Sequence, residues 1–488
     1  MTYLNCVDYS NYYKVFTDVA QKFGTPTFAF DTKLFVERID HFKSLTTQYF
    51  DDNGINCSIS YASKAFLSLK VAQIVKNCGL NIDTCSLIES KIAFNSTADG
   101  SKIGLHGNNK SDAEIKYAVE NNFHAIFLDN FEEIGRVDKI AKDLGKTANV
   151  YLRVTTGVHA GVHEYIATAT EDQKFGISLA NGKAFNCVQE ILKCLNLKFK
   201  GVHSHIGSQI AATAGFLEAL EKLLQFRKEV STELGHTIAE LDLGGGFGVQ
   251  YTPADPELDL EELFEGLSNK IIAQSAADGL ELPSVSFEPG RYLIAPCMST
   301  IYTVGAIKDV EYEDGKFRRY ISVDGGMSDN IRPALYQAKY TCFTLSGELS
   351  DGRENPQPQL QGSLESTVDE VFGRNQFSGR KAGPCRVSKK TVNLGPEIAI
   401  SSQNSTLSRI VGKHCESGDI LVDEIYLPAK IQRGDLLVIP ITGAYSYSMA
   451  SNYNMLLKPA VVGFEGAQAT DSEIHEIIPR QNESELIK

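Results

Sequence analysis

The alternation of short β-branched runs with helix-forming stretches predicts a (β/α)₈ barrel followed by a β-rich second domain. Three observations support this. Eight strand-like runs occur between about residues 57 and 290, all eight end in polar or glycine-rich residues, and the texture changes after residue 300.

The runs are CSISYAS (57–63), LNIDTC (80–85), SKIGLHG (101–107), HAIFLD (124–129), NVYLRV (149–154), FKGVHSH (199–205), IAELDLG (238–244) and PSVSFEP (283–289). Stretches such as AFLSLKVAQIVKN and SDAEIKYAVEN separate them with helical period, and Ser111 and Asp112 open one with cap chemistry. The connection after the fifth run carries GVHAGVHEYIATATEDQKFG and is expected to form an active-site loop instead of a simple helical crossover. The expected barrel covers 35–300. Residues 1–34 and 301–488 are expected to form the β-rich domain, with TPTFAFDTKLF as an early strand. A polar segment at about 346–405 reads as a long inserted loop.

Bulk properties narrow the function. A formal net charge of −14 disfavours nucleic acid and anionic membrane as partners. No stretch reaches spanning length, and the first residues lack the apolar core of an export signal. The ten cysteines form no CxxC pair and no zinc-like cluster, which suits reduced thiols in a cytoplasm and no metal.

Barrel chemistry belongs at the C-terminal ends of the strands. There stand Lys64, Asp83, His106, Asp129, Arg153, His203, His205, the glycines of DLGGGFG, and FEPGR. Gly244, Gly245 and Gly246 can form a backbone nest for phosphate, or simply a tight turn. Glu288 and Arg291 read individually as an ion pair, and His205 as a core histidine. Together they describe one ligand. A lysine for an aldehyde, a nest for phosphate, a carboxylate for a ring nitrogen and a flat side chain for stacking are the needs of pyridoxal 5′-phosphate.

The motifs YASKAF, HGNNKS, HSHIGSQI, LDLGGGFG, EPGR, DGGMSDNIRPALY, CESGD and GAYSYSMASNYN, in this order, resemble the diaminopimelate decarboxylase family of fold-type III pyridoxal-phosphate enzymes. The likeness runs from about 25 to 465, outside the 346–405 segment. It implies Lys64 as the Schiff-base lysine, Glu288 as partner of the ring nitrogen and His205 as the stacking residue. Asp83, Ser208, the three glycines, Gly290, Arg291 and Tyr445 would contact the cofactor. Cys415 would return a proton to the substrate carbon, and Arg291, Arg332, Tyr336, Glu416 and Tyr445 would hold the substrate. The resemblance also implies a homodimer with shared sites. Lys413-His414 stand where the family usually shows Gly-Pro and an aliphatic residue.

Two arginines beside one carboxylate favour a substrate with a distal carboxylate, as in meso-2,6-diaminopimelate. The alternatives are a relative acting on ornithine, arginine or a carboxylated polyamine, and a catalytically silent regulatory homologue.

Overall fold

The computed structural model describes residues 3–158, 174–313, 315–345 and 405–487. Eight parallel strands close into a barrel: Cys57–Ala62, Asn81–Thr84, Ile103–Leu105, Ala125–Leu128, Ala148–Thr155, Leu197–His203, Glu240–Asp242 and Ser284–Phe287. They are referred to below as the first to eighth strands. Spatial order follows chain order, and the eighth strand returns to the first through Val285–Cys57, Ser286–Ser58 and Phe287–Ile59. Each run read from the sequence therefore overlaps one strand, the fifth and sixth strands starting before their runs.

Five of the helices between them begin with side-chain caps. Ser68, Ser86, Ser111, Asn130 and Asp259 each accept a hydrogen bond from the backbone N–H three residues on. Each such cap contributes about 1 kcal/mol and stops the chain from remaining extended past the rim. At Ser111 the Glu114 side chain reciprocates, completing a capping box. The connection after the fifth strand contains a helix after all, Lys183–Lys193. The expected loop falls largely on 159–173, outside the described residues.

Behind the barrel wall, Phe42 of the helix Thr32–Tyr49 packs edge-on against Phe247, Phe264 and Phe287. All four rings are buried, and this cluster seats the leading helix across the seventh and eighth strands.

The second sheet runs in the order Ile420–Pro428, Ser405–Val411, Lys316–Val323, Met298–Glu313, Thr27–Asp31, Ala460–Phe464, His475–Ile478, with Leu436–Pro440 also pairing Met298–Glu313. Thr27–Asp31 lies inside this sheet, antiparallel to Met298–Glu313 and parallel to Ala460–Phe464, and all five of its residues are buried. The strand is shorter than TPTFAFDTKLF suggests. Asp31 ends it by accepting the Leu34 N–H and starting a helix. The 346–405 segment lies outside the described residues except for Ser405, which begins a strand. Among the described residues no helix is long and apolar enough to cross a membrane.

Candidate active site

The C-terminal strand ends open on a cavity of about 430 Å³, lined among others by Lys64, Asp83, Cys85, His106, Arg153, His203, His205 and Glu288. Glu288, one residue past the eighth strand, sits at its centre. Its Oε1 lies 3.0 Å from His106 Nε2 and 3.3 Å from His203 Nε2. His106 is held flat against Phe127, with ring centroids 3.7 Å apart.

Asp83 and Asp242 are buried close to Glu288, and three carboxylates in so dry a place cannot all be charged. Burial, reinforced by Glu288, pushes Asp83 and Asp242 well above the usual carboxylate range. Burial also opposes charge on Glu288, but the two imidazoles outweigh it and hold that group well below its usual range. Glu288 is thus the one ionised carboxylate of the three. His106 is brought down to about 4 by burial, against the pull of Glu288.

Lys64 follows the first strand. Ser63 and Ala65 on either side of it are buried, whereas Lys64 is exposed because it stands in the lumen of the cavity. Burial in the walls works to lower its pKa, yet Tyr445, Cys85 and Glu288 more than offset this, and it ends above its ordinary value. Ser63 N–H donates to Asp83 O at 3.1 Å, which ties the lysine turn to the second strand.

The glycine loop is shaped by close approach. Gly244 and Gly246 have φ of +66° and +105°, and a Cβ at Gly245 would stand 2.2 Å from the Glu288 carbonyl oxygen. The Gly245 N–H points at His205 Nδ1 at 3.3 Å, which leaves the proton of a neutral ring on Nε2. Ser208 Oγ accepts from Arg291 Nη2 at 2.9 Å, and the Arg291 guanidinium lies 4.7 Å from the Tyr445 ring centroid. Tyr445 is joined to the lysine turn by its N–H, which donates to Ala65 O at 2.9 Å. Gly290 fits only because it lacks a side chain, since a Cβ there would be 3.0 Å from that of Ala62.

Pyridoxal phosphate fits this donor set. Asp83 Oδ2, His106 Nε2, His203 Nε2, Glu288 Oε1 and Arg291 Nε are buried without a hydrogen-bond partner, the approaches to Glu288 being close but poorly aligned. A polar ring-shaped ligand with an anionic arm would use such atoms, while a purely apolar one would leave them stranded.

Arg332, at the start of the short helix Arg332–Tyr336, is buried. Its Nη1 donates to the Tyr340 hydroxyl, and its guanidinium lies 4.6 Å from the Tyr251 ring centroid. Arg291 Nη1 donates to the Tyr251 hydroxyl, so this tyrosine links the two arginines. The ion pair read for Glu288 and Arg291 does not form, because the imidazoles take the carboxylate and Ser208 and Tyr251 take the guanidinium.

Of the expected residues, Lys64, Asp83, His205 and Glu288 line the cavity, whereas Ser208, the three glycines, Gly290, Arg291, Arg332 and Tyr445 stand outside its lining. Tyr336 is 52% exposed, and Cys415 and Glu416 are exposed on a loop of the second sheet. Conversely, His106, His203 and Arg153 stand at strand ends noted in the sequence but received no role there, and Tyr251, Asp242 and Cys85 were missed. Strand-end position was the available signal for all of these but Tyr251, which lies in the loop beyond the seventh strand. The Lys110 of HGNNKS proves to be structural, since its ammonium pairs with Glu133 at 2.9 Å with both side chains buried.

A parallel barrel with an antiparallel-rich sheet, a lumen lysine, a glycine cradle and one buried carboxylate charge define a pyridoxal-phosphate enzyme. Residues 38–295 match the family model of the pyridoxal-dependent decarboxylase pyridoxal binding domain, and 384–443 match that of its C-terminal sheet domain. The chain belongs to the pyridoxal-dependent decarboxylases. The second match starts inside the segment set apart as an insertion, so that segment is not wholly foreign to the family.

The relatives it resembles are diaminopimelate decarboxylases. That of Corynebacterium efficiens is 39% identical over 452 residues, covering 93% of this chain and 86% of the relative. That of Bacillus subtilis is 36% identical over 472 residues, covering 96% and 92%. Among solved structures, the diaminopimelate decarboxylase of M. jannaschii in complex with L-lysine superposes with a TM-score of 0.77 at 26% identity, covering 96% and 93%.

The buried imidazole of His106 makes an acid-stability prediction. Its folded pKa of about 4 lies below the ordinary 6.5, so the stability it contributes is complete above 6.5 and is lost as pH falls toward 4. His106→Asn should therefore flatten the thermal-stability profile across that window, and an unchanged slope would show that the folded protein carries a charged imidazole there.

Proposed function

We infer that the protein catalyses the pyridoxal-phosphate-dependent decarboxylation of meso-2,6-diaminopimelate to L-lysine and carbon dioxide. The observation that carries the choice of substrate is the pair Arg291 and Arg332, linked by Tyr251, which no carboxylate among the described residues neutralises. Two guanidinium groups in that state suit a distal carboxylate, which a diamine precursor lacks.

Pyridoxal phosphate, when bound, supplies an aldehyde that condenses with amines and a conjugated ring that accepts the electron pair left by carbon dioxide. Lys64 Nζ is the amine that holds it covalently. The glycine loop, with Ser208, Gly290 and Tyr445, surrounds the phosphate; the Gly246 N–H is the donor it offers, because the Gly244 and Gly245 N–H groups point at Asp242 and His205. Glu288 keeps a proton on the ring nitrogen, and its charge suits that task because Asp83 and Asp242 are neutral beside it. His205, oriented by the Gly245 N–H, stacks on the ring face.

Arg291 and Arg332 grip the distal carboxylate, with Tyr336 and Glu416 at the distal ammonium. This leaves the other α-carboxylate at the reacting end. That carboxylate departs as carbon dioxide and one proton takes its place on the same carbon. Cys415 delivers that proton. Its exposure on a loop beyond this chain's cavity lining supports a homodimer in which the loop enters the neighbouring copy's site. We place the enzyme in the cytoplasm, where its scattered thiols stay reduced.

Borohydride reduction of the purified holoenzyme should add the cofactor mass to the peptide containing Lys64 and to no other. In Lys64→Ala that covalent adduct should vanish, and a persistent adduct would refute the lysine assignment. A carbon dioxide release assay on meso-diaminopimelate, ornithine, lysine and arginine should show turnover of the first far above the rest. Comparable turnover of ornithine or arginine would overturn the substrate reading. Arg332→Ala should lower kcat/KM for diaminopimelate about a hundredfold while leaving cofactor affinity unchanged. Equal losses in both would remove Arg332 from the substrate grip.

A further inference from the structure

One buried side chain outside the cavity lining joins three of the chain's motifs, DGGMSDN (324–330), KHCESGD (413–419) and SNYN (451–454). His414 Nε2 lies 2.9 Å from Ser328 Oγ, and Nδ1 lies 3.0 Å from Asn454 Oδ1. The ring stacks on Tyr453, with centroids 5.0 Å apart. The Asn454 oxygen can only accept, so Nδ1 carries the proton and Nε2 accepts from Ser328. The Ser328 backbone N–H, 3.4 Å from Nε2, agrees with that tautomer. Both ring nitrogens are therefore in use, which no aliphatic side chain could reproduce.

The backbone around His414 is fixed as well. The His414 N–H and the Met327 N–H donate to the two oxygens of Asp419 at 2.9 and 2.6 Å, and the Lys413 N–H donates to Gly325 O at 2.9 Å. Gly326 and Gly412 lie so near Asp419 that a Cβ at either would stand 2.6 or 2.1 Å from a carboxylate oxygen. Cys415, the next residue, is exposed. On the other side, Ser328 leads through Asn330 into the helix that begins with Arg332. The two functional groups are thus presented from loops that meet at one imidazole.

We propose that His414 is a positioning residue, whose two ring nitrogens lock the Cys415 loop to the segment carrying Arg332 and to the Asn454 loop. The inference rests on the reading of Cys415 as proton donor. Its physical basis is that proton delivery tolerates little displacement, so a loop freed by about an ångström loses rate without losing substrate.

The test compares His414→Leu, His414→Gln, Cys415→Ala and the double variant Cys415→Ala/His414→Leu, each as holoenzyme. His414→Leu should lower kcat about tenfold with KM changed less than about twofold and bound-cofactor absorbance unchanged. His414→Gln, which keeps one donor and one acceptor, should recover most of the rate. In the Cys415→Ala background, adding His414→Leu should change nothing further.

Wild-type kcat in His414→Leu overturns the proposal. Equal losses in the leucine and glutamine variants also overturn it, because they indicate a space-filling role. Additive losses in the double variant overturn it too, because they show action independent of the thiol. Near-normal turnover in Cys415→Ala alone removes the proton-donor reading, and the proposal with it, so the two failures are distinguishable. Should His414→Leu not fold, Ser328→Ala and Asn454→Ala cut the same two contacts without touching the ring. Their expected outcome is the same loss of kcat, and normal kcat in both overturns the proposal.

Discussion

The charge on Glu288, held between the imidazole edges of His106 and His203, is the constraint around which the barrel's chemistry is arranged. A lone carboxylate buried at this depth would take up a proton, since burial disfavours the charged form. Here the third, sixth and eighth strands converge, and each contributes one member of the group. Two further carboxylates, Asp83 and Asp242, are pushed well above the usual carboxylate range by burial, reinforced by that charge. Barrel closure creates this arrangement, because the eighth strand, already paired to the seventh, also pairs back onto the first.

Around that charge the labour divides between the two sheets. The barrel supplies Lys64, the glycine cradle and His205. The second sheet's segments supply Arg332, Tyr445 and the Cys415 loop. Two kinds of link hold them in register. One is the Tyr445 N–H donating to Ala65 O, one residue past Lys64. The other is the strand Thr27–Asp31, which sits inside the second sheet and passes straight into the helix whose Phe42 packs behind the seventh and eighth strands. The lysine turn and the second sheet thus belong to one connected framework.

What could be read in the sequence follows from how local each signal is. The eight strands were legible because β-branched runs and caps such as Ser111 act within a few residues. Lys64 was legible because it breaks an apolar run at a strand end. His106 and His203 were seen but not valued, since a histidine ending a strand usually needs no more than a packing explanation. Only closure of the barrel shows that both meet Glu288. Tyr251 was invisible for a similar reason, because its link between Arg291 and Arg332 joins residues 40 apart in one direction and a different sheet in the other. The isolated reading of Glu288 and Arg291 as an ion pair does not hold, because adjacency in EPGR does not specify which way each side chain turns. The strand at TPTFAFDTKLF was overextended because Asp31, an ordinary strand-end residue by eye, is a helix cap.

The role proposed for Glu288 is to tune the bound cofactor for decarboxylation with one buried negative charge. Glu288→Gln keeps the size and a hydrogen-bonding oxygen but removes the charge. The most direct measurement is carbon dioxide release from meso-diaminopimelate by this variant, with its cofactor content determined on the same sample. Nearly full cofactor content with turnover reduced about a hundredfold or more is the expected result. Turnover close to that of the unaltered protein, at equal cofactor content, would contradict it.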